Sequence, residues 1–336
     1  MKKSSTLLFL CLIFTSCSME LSFEDKFFVR SGEADLPVEV RGNVDSDICI
    51  LLVPGWPGLG LVYAAEEAFQ NLESEYKMVY WNLRGAGSSR GNPSLESYTL
   101  SRQAQDLGLV VESLKHRYGN QKIYLLGHSF GGFIAAEYMA GEGSTQNITG
   151  FIAMETILKR KMFIEWTRDR VLEYALGMKG DPYWDSAYTE LLNTPADEKA
   201  ENIDRIFSYA GEASIFEKID YSPFYMNILA ETFKGNCGNM EVLITQFGGY
   251  ARFYKEIHID FERLSEIFLP TLIIHGIPEK KGFGRDAALT IHDELGTPIN
   301  QKKYVIFDKS GHLPYVTEPK RLVSEINSFI RQINTE

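Results

Sequence analysis

Short apolar runs alternate with longer amphipathic stretches along most of the chain. The runs occupy residues 38–42, 48–53, 77–82, 122–127, 150–154, 271–276 and 303–308. Most are apolar throughout rather than alternating, which is typical of strands buried on both faces of a parallel sheet. Apolar positions three and four residues apart predict helices over residues 100–119 and 318–333. This order predicts an α/β fold with a mostly parallel, doubly wound sheet.

A long segment without strand signals separates the run at 150–154 from the run at 271–276. Residues 155–260 are rich in aromatic side chains, among them Trp166 and Trp184. An insertion of this size predicts a helical lid over the carboxyl end of the sheet, with most aromatic residues in the lid's own core and a minority lining a substrate pocket. The sheet domain is then formed by residues 17–154 and 261–336.

The N-terminal stretch MKKSSTLLFLCLIFTSC has the organisation of an export signal. Lys2 and Lys3 precede an apolar run over residues 7–15 that is too short to span a bilayer. The end of the stretch, FTSC, resembles the lipobox of bacterial lipoproteins, although Phe14 stands where leucine is usual. That resemblance implies a signal peptide over residues 1–16 and an exported protein held at a bacterial membrane by an acylated Cys17. An ordinary signal peptide or a buried start is the alternative.

The composition is typical of a chain that buries a large core, and the net charge disfavours some classes of binding partner. The 336 residues are 44% hydrophobic and 24% charged, with a formal net charge of −11. Loss of Lys2 and Lys3 with the signal makes that charge two units more negative. An acidic protein without a basic run disfavours nucleic acid and anionic lipid as partners, so a lipid anchor would have to provide membrane attachment.

Two cysteines remain beyond the predicted signal and Cys17. Cys49 lies inside an apolar strand pattern, which favours a small core residue. A disulfide between Cys49 and Cys237 is the alternative that the sequence leaves open.

The segment YLLGHSFGG contains the pattern G-x-S-x-G around Ser129. It follows a predicted strand and precedes a helical pattern, FIAAEYMA. A strand-to-helix turn this sharp strains the serine backbone and leaves no room for side chains on either flank, which explains the glycines. We predict that Ser129 is a nucleophile; a tight turn without catalytic function is the alternative.

A serine nucleophile needs a base and an oxyanion hole. Among six histidines, only His312 follows the last predicted strand, in the loop of FDKSGHLPYVTEP, and it is the predicted base. The loop PGWPGLG after the strand at 48–53 keeps its backbone free of bulky side chains. In a fold of this kind the oxyanion donors are the N–H of the residue after the nucleophile, here Phe130, and one N–H from this loop, for which Trp56 is predicted; Pro57 has no N–H to donate.

Together PGWPG, YWNLRGAGSS, GHSFGG, TLIIHG and SGHLPYVTEP resemble the α/β-hydrolase superfamily, and within it the prolyl-iminopeptidase-like branch. The resemblance covers residues 38–155 and 269–336 and implies a serine hydrolase with a lid-bounded pocket, acting on a small molecule or short peptide without metal or organic cofactor. The branch usually has histidine-glycine-glycine-proline-glycine in the oxyanion loop and D-Q-R-G where this chain has Asn82 to Gly85. Those departures leave aminopeptidase specificity open.

The resemblance also implies positions for two carboxylates. The triad acid of the family lies three residues after the glycine that ends the strand at 271–276, which is Glu279 here. Asp286 is the alternative, although its place at the start of a helical pattern fits a helix-start residue. Aminopeptidases of the branch bind the substrate amine with acidic side chains near the lid, a role that Glu155 is placed to take, with a solvated surface carboxylate as the alternative.

The leading hypothesis is therefore acyl transfer to water by Ser129, His312 and Glu279. A carboxylesterase or lipase-like enzyme suits the aromatic lid equally. A surface-anchored binding protein on a decayed hydrolase scaffold is the hypothesis from a different class.

Overall fold

The structure, a computed structural model, describes residues 23–141, 144–156, 158–197, 199–215, 260–276 and 283–335. The predicted signal peptide, Cys17, Cys237 and Glu279 lie outside the described residues. The predictions that concern them therefore stay predictions.

One sheet of nine strands organises the described residues. Its order is β1-β2-β4-β3-β6-β7-β8-β9, with the short β5 beside β2. The strands β4, β3, β6, β7, β8 and β9 run parallel, and β1 and β2 are antiparallel additions at one edge. The bounds are β1 (Phe23–Ser31), β2 (Ala34–Gly42), β3 (Ile48–Val53), β4 (Lys77–Trp81), β5 (Arg90–Gly91), β6 (Lys122–His128), β7 (Gly150–Met154), β8 (Thr271–Gly276) and β9 (Lys302–Phe307).

The predicted mostly parallel sheet is confirmed, and two strands, β1 and the two-residue β5, were not predicted. All seven apolar runs form strands, and β4, β6, β7 and β8 are almost entirely buried, which is why their sequences are continuously apolar. The hydrophobic pattern of the sequence does not predict strand β1, because this strand lies at a sheet edge. Its residues alternate between exposed side chains such as Glu24 and Lys26 and better buried ones such as Val29, so no apolar run marks it.

Nine helices of four or more residues are described in addition to short 3₁₀ turns. Helix α2 begins after Thr99, whose hydroxyl oxygen accepts the Arg102 N–H at 3.2 Å, and ends at Gly119, which has φ 74°. The bounds are α1 (Glu67–Glu73), α2 (Leu100–Tyr118), α3 (Phe130–Met139), α4 (Arg160–Gly177), α5 (Pro182–Leu192), α6 (Ala200–Glu212), α7 (Phe283–Glu294), α8 (Pro314–Thr317) and α9 (Pro319–Thr335). Within the part of the chain that the structure describes, none is long and apolar enough to cross a bilayer.

Two separate hydrophobic clusters lie in the described residues. The larger one surrounds the sheet. The smaller one is formed by residues of the 160–215 segment, including Ile164, Trp184 and Ile206, where α4, α5 and α6 pack together. These helices fall within the segment predicted as a lid, and the aromatic Trp184 lies in their core.

Cys49 is a buried free cysteine in β3, as the strand pattern indicated. Burial raises the pKa of its thiol to about 12, so the thiol stays protonated and packs as an apolar group. Within the described residues Cys49 is thus a free core thiol, whereas the alternative pairing concerns Cys237, which lies outside them.

A buried ion pair connects the edge of the sheet to α2. Arg84, in the loop after β4, donates from Nε and Nη2 to the two carboxylate oxygens of Asp106 at 2.7 and 2.6 Å. Both side chains are almost completely buried. Arg84 also donates to Ser31 Oγ at 3.3 Å and to Ser97 Oγ at 3.1 Å. The guanidinium thus joins the end of β1, the loop after β4 and α2 in one fully hydrogen-bonded cluster.

Replacing Arg84 should destabilise the fold strongly. The Arg84→Met variant leaves the buried Asp106 carboxylate with only the Ser31 hydroxyl and the more distant Arg102, whose Nε lies 3.9 Å away. Removing one member of a buried pair costs about 3–5 kcal/mol in the free energy of unfolding, and Arg102 should keep the loss at the lower end of that range. Urea unfolding measures the loss. Arg331→Met is the matched control, because Arg331 pairs with Glu75 at 3.0 Å with both side chains exposed, and such pairs contribute about 0–1 kcal/mol. Equal losses in the two variants would contradict the prediction.

Candidate active site

The polar residues singled out by the sequence gather along one edge of the sheet. Because β3, β6, β7 and β9 are parallel, their carboxyl ends lie at the same side. Trp56 follows β3, Ser129 follows β6, Glu155 follows β7 and His312 lies in the loop after β9. Chain order reverses between β3 and β6, the position where α/β sheets open a crevice for ligands.

Ser129 occupies the strained turn that the glycine pattern predicted. It lies between β6 and α3 with φ 53° and ψ −120°, a backbone conformation that costs a residue with a side chain about 1–3 kcal/mol. Its N–H donates to Met154 O at 2.9 Å, and its carbonyl accepts the Gly132 N–H at 3.0 Å. The residue is partly exposed while its neighbours on both sides are buried. The residue at the strained turn therefore keeps part of its surface accessible.

Two glycines allow neighbouring backbones to approach this turn. A Cβ on Gly131 would come within 1.9 Å of Val53 O, so α3 starts directly against the end of β3. A Cβ on Gly55 would lie 3.0 Å from Ser129 Cβ and 3.2 Å from His128 Nδ1. The loop after β3, here called the oxyanion loop after its predicted role, is consequently in contact with the serine turn.

Backbone and side-chain hydrogen bonds hold the oxyanion loop in place. Asn82, buried at the end of β4, accepts the Leu61 N–H at 3.1 Å, and Leu83 N–H donates to Gly58 O at 3.0 Å. Trp56 keeps about a third of its surface exposed (37%) beside this loop. Phe130 is the first residue of α3, where backbone N–H groups point away from the helix body. Both predicted oxyanion donors thus belong to segments that flank Ser129.

His312 lies beside His128, the residue directly before Ser129. The two ring centroids are 5.0 Å apart, and His128 Nε2 lies 2.9 Å from the His312 carbonyl oxygen. The other ring nitrogen, His128 Nδ1, lies 2.8 Å from the Tyr63 hydroxyl. Part of His312 stays accessible, yet desolvation by the surrounding protein lowers the pKa of its imidazole to about 4. At neutral pH the His312 imidazole is therefore uncharged, the form a general base requires.

Glu155 is buried at the end of β7, not exposed on the surface. Its backbone has φ 52°, and its carboxylate accepts the Gly276 N–H from the end of β8. The other carboxylate oxygen lies 3.8 Å from His275 Nδ1. Burial raises the pKa of Glu155 to about 8 against the weaker effect of the Gly276 hydrogen bond. Burial, with the nearby His312, lowers the pKa of His275 to about 4. Both groups are therefore mainly neutral at pH 7.

Of the two residues predicted as possible triad acids, only Asp286 lies within the described residues. Glu279 lies outside the described residues. Asp286 lies in the first turn of α7 with an exposed side chain, which fits the helix-start interpretation. Among the described ranges no group of three or more His, Cys, Asp or Glu side chains has an arrangement suited to a metal ion.

Two polar residues of this site carried no usable signal in the sequence. Tyr63 lies in a 3₁₀ turn within an apolar stretch, and His275 is the fifth residue of an apolar strand. Each sits in an apolar pattern that indicates core. The only available hint is indirect, because a histidine at the carboxyl end of a parallel strand lies by topology at the ligand edge.

A family profile described as "alpha/beta hydrolase fold" matches residues 48–319 of the chain. The chain belongs to this alpha/beta hydrolase family. Among curated proteins, a proline iminopeptidase of Saccharolobus solfataricus is 25% identical over 272 residues, which is 76% of each chain.

Solved structures of low sequence identity share the alpha/beta hydrolase fold. A proline iminopeptidase-related protein of Thermus thermophilus superposes with a TM-score of 0.59 at 20% identity, covering 93% of this chain and 98% of its own. An esterase of Exiguobacterium antarcticum superposes with a TM-score of 0.54 at 18% identity, covering 90% and 98%. The chain is thus a hydrolase-fold protein similar to both peptidases and esterases.

The raised pKa of Glu155 predicts how this hydrolase's stability depends on pH. The pKa of this carboxyl rises from 4.5 to about 8 on folding. Its contribution to the stability of the fold is complete below pH 4.5 and is lost as the pH rises through the pKa of the folded state. Glu155→Gln keeps the shape without the ionisation. As the pH rises from acidic to alkaline, the free energy of unfolding of wild type should therefore fall, relative to that of Glu155→Gln, by up to several kcal/mol.

Urea unfolding of both proteins on each side of neutrality measures this difference. Glu165→Gln is the control, because Glu165 is exposed on α4, and its difference from wild type should be flat with pH. A flat difference for Glu155→Gln as well would show that the carboxyl ionises freely in the folded protein.

Proposed function

We propose that the chain is a serine hydrolase that cleaves a small peptide, amide or ester through an acyl-enzyme on Ser129. The observation that carries the proposal is the strained, partly exposed Ser129 between β6 and α3, with φ 53°. A tight turn without catalytic function has no need for a residue with a side chain at positive φ, because glycine adopts that conformation without strain.

The surroundings of Ser129 support His312 as the base. His128 is closer in sequence, but both of its ring nitrogens already have partners, Tyr63 and the His312 carbonyl. His275 is almost completely buried beside Glu155. His312 keeps an accessible surface and a neutral imidazole. In the proposed reaction it takes the Ser129 hydroxyl proton as the oxygen attacks the carbonyl carbon and returns that proton to the leaving group.

The oxyanion of the tetrahedral intermediate requires donors already in position. The N–H groups of Phe130 and Trp56 are the proposed donors, one from the start of α3 and one from the loop that contacts Ser129 through Gly55. Because the Asn82 side chain and Leu83 hold this loop against the sheet, the donors do not have to reorganise as negative charge develops.

Peptidase and esterase specificity are both proposed, each on its own observation. The proline iminopeptidase relative favours a substrate with a free amine, which Glu155 would bind, and the exposed Trp56 side chain would contact substrate beside the oxyanion loop. The raised pKa of Glu155 favours a neutral ester, since a protonated carboxyl attracts an ammonium group poorly. If an amine binds there, it must lower the pKa of Glu155 on binding.

A panel of p-nitrophenyl esters and aminoacyl anilides tests the reaction and this choice together. Wild type should turn over at least one substrate class, and Ser129→Ala should lower kcat by about 10⁴-fold or more, because nucleophile and base act as one unit. With Glu155→Gln, KM should rise for the aminoacyl substrates alone if Glu155 binds the amine. Equal effects on neutral esters would remove amine recognition from the proposal.

A serine-directed fluorophosphonate probe supplies the control for that panel. It should label wild type and leave Ser129→Ala unlabelled, irrespective of which substrates are chosen. An unlabelled wild-type protein that still binds the panel compounds would contradict the hydrolase proposal and support the non-catalytic binding protein.

We propose Glu279 as the triad acid, on the family position counted from the end of β8. Its role is to hold the His312 imidazole in one tautomer and to stabilise the imidazolium, and losing such a group costs about 10³–10⁴-fold in kcat. Glu279→Gln should show that loss. Asp286→Asn is the matched control, since the exposed Asp286 on α7 should change kcat by no more than about threefold. A larger loss in Asp286→Asn, or in Glu155→Gln, would move the acid to that residue.

A further inference from the structure

His128 connects the segments of the site although nothing in the proposed reaction uses it. It directly precedes Ser129 in the chain. Its Nε2 lies 2.9 Å from the carbonyl oxygen of His312, 184 residues later, and its Nδ1 lies 2.8 Å from the Tyr63 hydroxyl. A Cβ on Gly55 would come within 3.2 Å of the same Nδ1. One buried imidazole thus touches the oxyanion loop and the loop of the base.

The partners of His128 determine its tautomer. A backbone carbonyl can only accept a hydrogen bond, so His128 Nε2 must carry the proton and donate to His312 O. In the neutral ring, Nδ1 is then an acceptor, and the Tyr63 hydroxyl donates to it. Burial lowers the pKa of His128 to about 3, with a further contribution from His312, and burial raises the pKa of Tyr63. Both groups therefore keep these protonation states at and around neutral pH.

Tyr63 is itself fixed by an aromatic cluster that returns to the base loop. Its ring centroid is 5.7 Å from Phe69 and 5.4 Å from Tyr315, and Tyr315 lies 5.3 Å from the His128 ring. Tyr315 is three residues after His312, in the short helix α8. The cluster thus holds the His312 segment at two points, its carbonyl through His128 and its following helix through aromatic contacts.

We infer that His128 is a positioning residue for His312, and that Tyr63 acts through His128 by fixing which of its ring nitrogens donates. The inference rests on the proposed function, in which His312 is the base. Because His128 and Ser129 are consecutive, the residue that carries the nucleophile and the residue that anchors the base share one peptide unit. The spacing between hydroxyl and imidazole is then set directly by this hydrogen bond, with the aromatic contacts of Tyr315 as a second anchor.

Replacement of His128 by two residues of similar size tests this inference. His128→Leu removes the donor, so the His312 backbone loses its anchor, and kcat should fall by about 10–100-fold, the effect of a misplacement of about 1 Å. KM should change by less than about threefold, since no substrate contact is lost. His128→Gln places an amide N–H near the position of Nε2 and should recover most of kcat. If kcat depends on a hydrogen-bond donor at position 128 and not on side-chain volume, His128 acts by positioning His312 and not by filling space.

The Tyr63→Phe variant tests the second half of the inference. Alone it should lower kcat modestly, because the His128 ring loses the group that orders it. Combined with His128→Leu it should cause a smaller loss than it causes alone, since the part of its effect that passes through the imidazole is already lost. Only the part through the Gly55 backbone, which also hydrogen-bonds the Tyr63 hydroxyl, is then left. Tyr80→Phe is the matched control: Tyr80 is a buried tyrosine of β4 that donates to Glu73 at 2.8 Å, outside the site, and its removal should leave kcat unchanged.

A second measurement decides the inference independently of turnover. Nitrogen-15 spectra of the histidine rings should show His128 as the Nε2–H tautomer with no titration between about pH 5 and 9. They should also show a shift of the His312 ring signals in His128→Leu. Wild-type kcat in His128→Leu, or a His128 ring protonated on Nδ1, would overturn the inference while leaving the hydrolase proposal intact. An inactive wild type that fails to react with fluorophosphonate would overturn the hydrolase proposal, and the ring spectra would still decide whether His128 anchors His312.

Discussion

The left-handed backbone of Ser129 is the constraint on which the rest of the site depends. A serine in this conformation is strained, and the surrounding structure must hold it there. The Met154 carbonyl takes its N–H, α3 begins immediately after it, and Gly131 lets the end of β3 approach without a clash. The first and last of these contacts come from β7 and β3, the neighbours of β6 on its two sides, so the turn depends on the assembled sheet. The strained Ser129 turn is therefore a property of the whole fold rather than of the pentapeptide that marks it.

Much of the fold could be read from the sequence, because buried parallel strands have an unusually plain signature. The runs at β3, β6, β7 and β8 are apolar at nearly every position, since both faces of each strand are covered. Strand β1 lacks that signature because one of its faces meets water. Its sequence has three charged residues in a row, Glu24 to Lys26, followed by three apolar ones, Phe27 to Val29, so neither a long apolar run nor a strict alternation marks the strand.

The site was predictable to a different degree for each residue. Ser129 and the oxyanion loop are marked by glycines, whose spacing reflects steric contacts that no other residue tolerates. Tyr63 and His275 carry no such mark, because a polar atom buried by tertiary contacts leaves the local hydrophobic pattern unchanged. The sequence correctly predicts Glu155 at the end of a strand. Its burial could not be predicted, because it depends on β8, whose Gly276 N–H donates to the carboxylate although it lies 121 residues later in the chain.

The sheet ends in two edge strands, β1 and β9, and both carry charged side chains on their exposed positions. Glu24, Lys26 and Arg30 stand outward on β1, and Lys303 does so on β9, where it pairs with Glu325 of α9 at 2.8 Å. An open edge is a template on which another molecule's strand can add, and charge at that edge makes such addition costly in desolvation. The charged residues at both edges therefore disfavour edge-to-edge aggregation. On β1 they are also the residues that interrupt the apolar pattern by which the other strands are predicted.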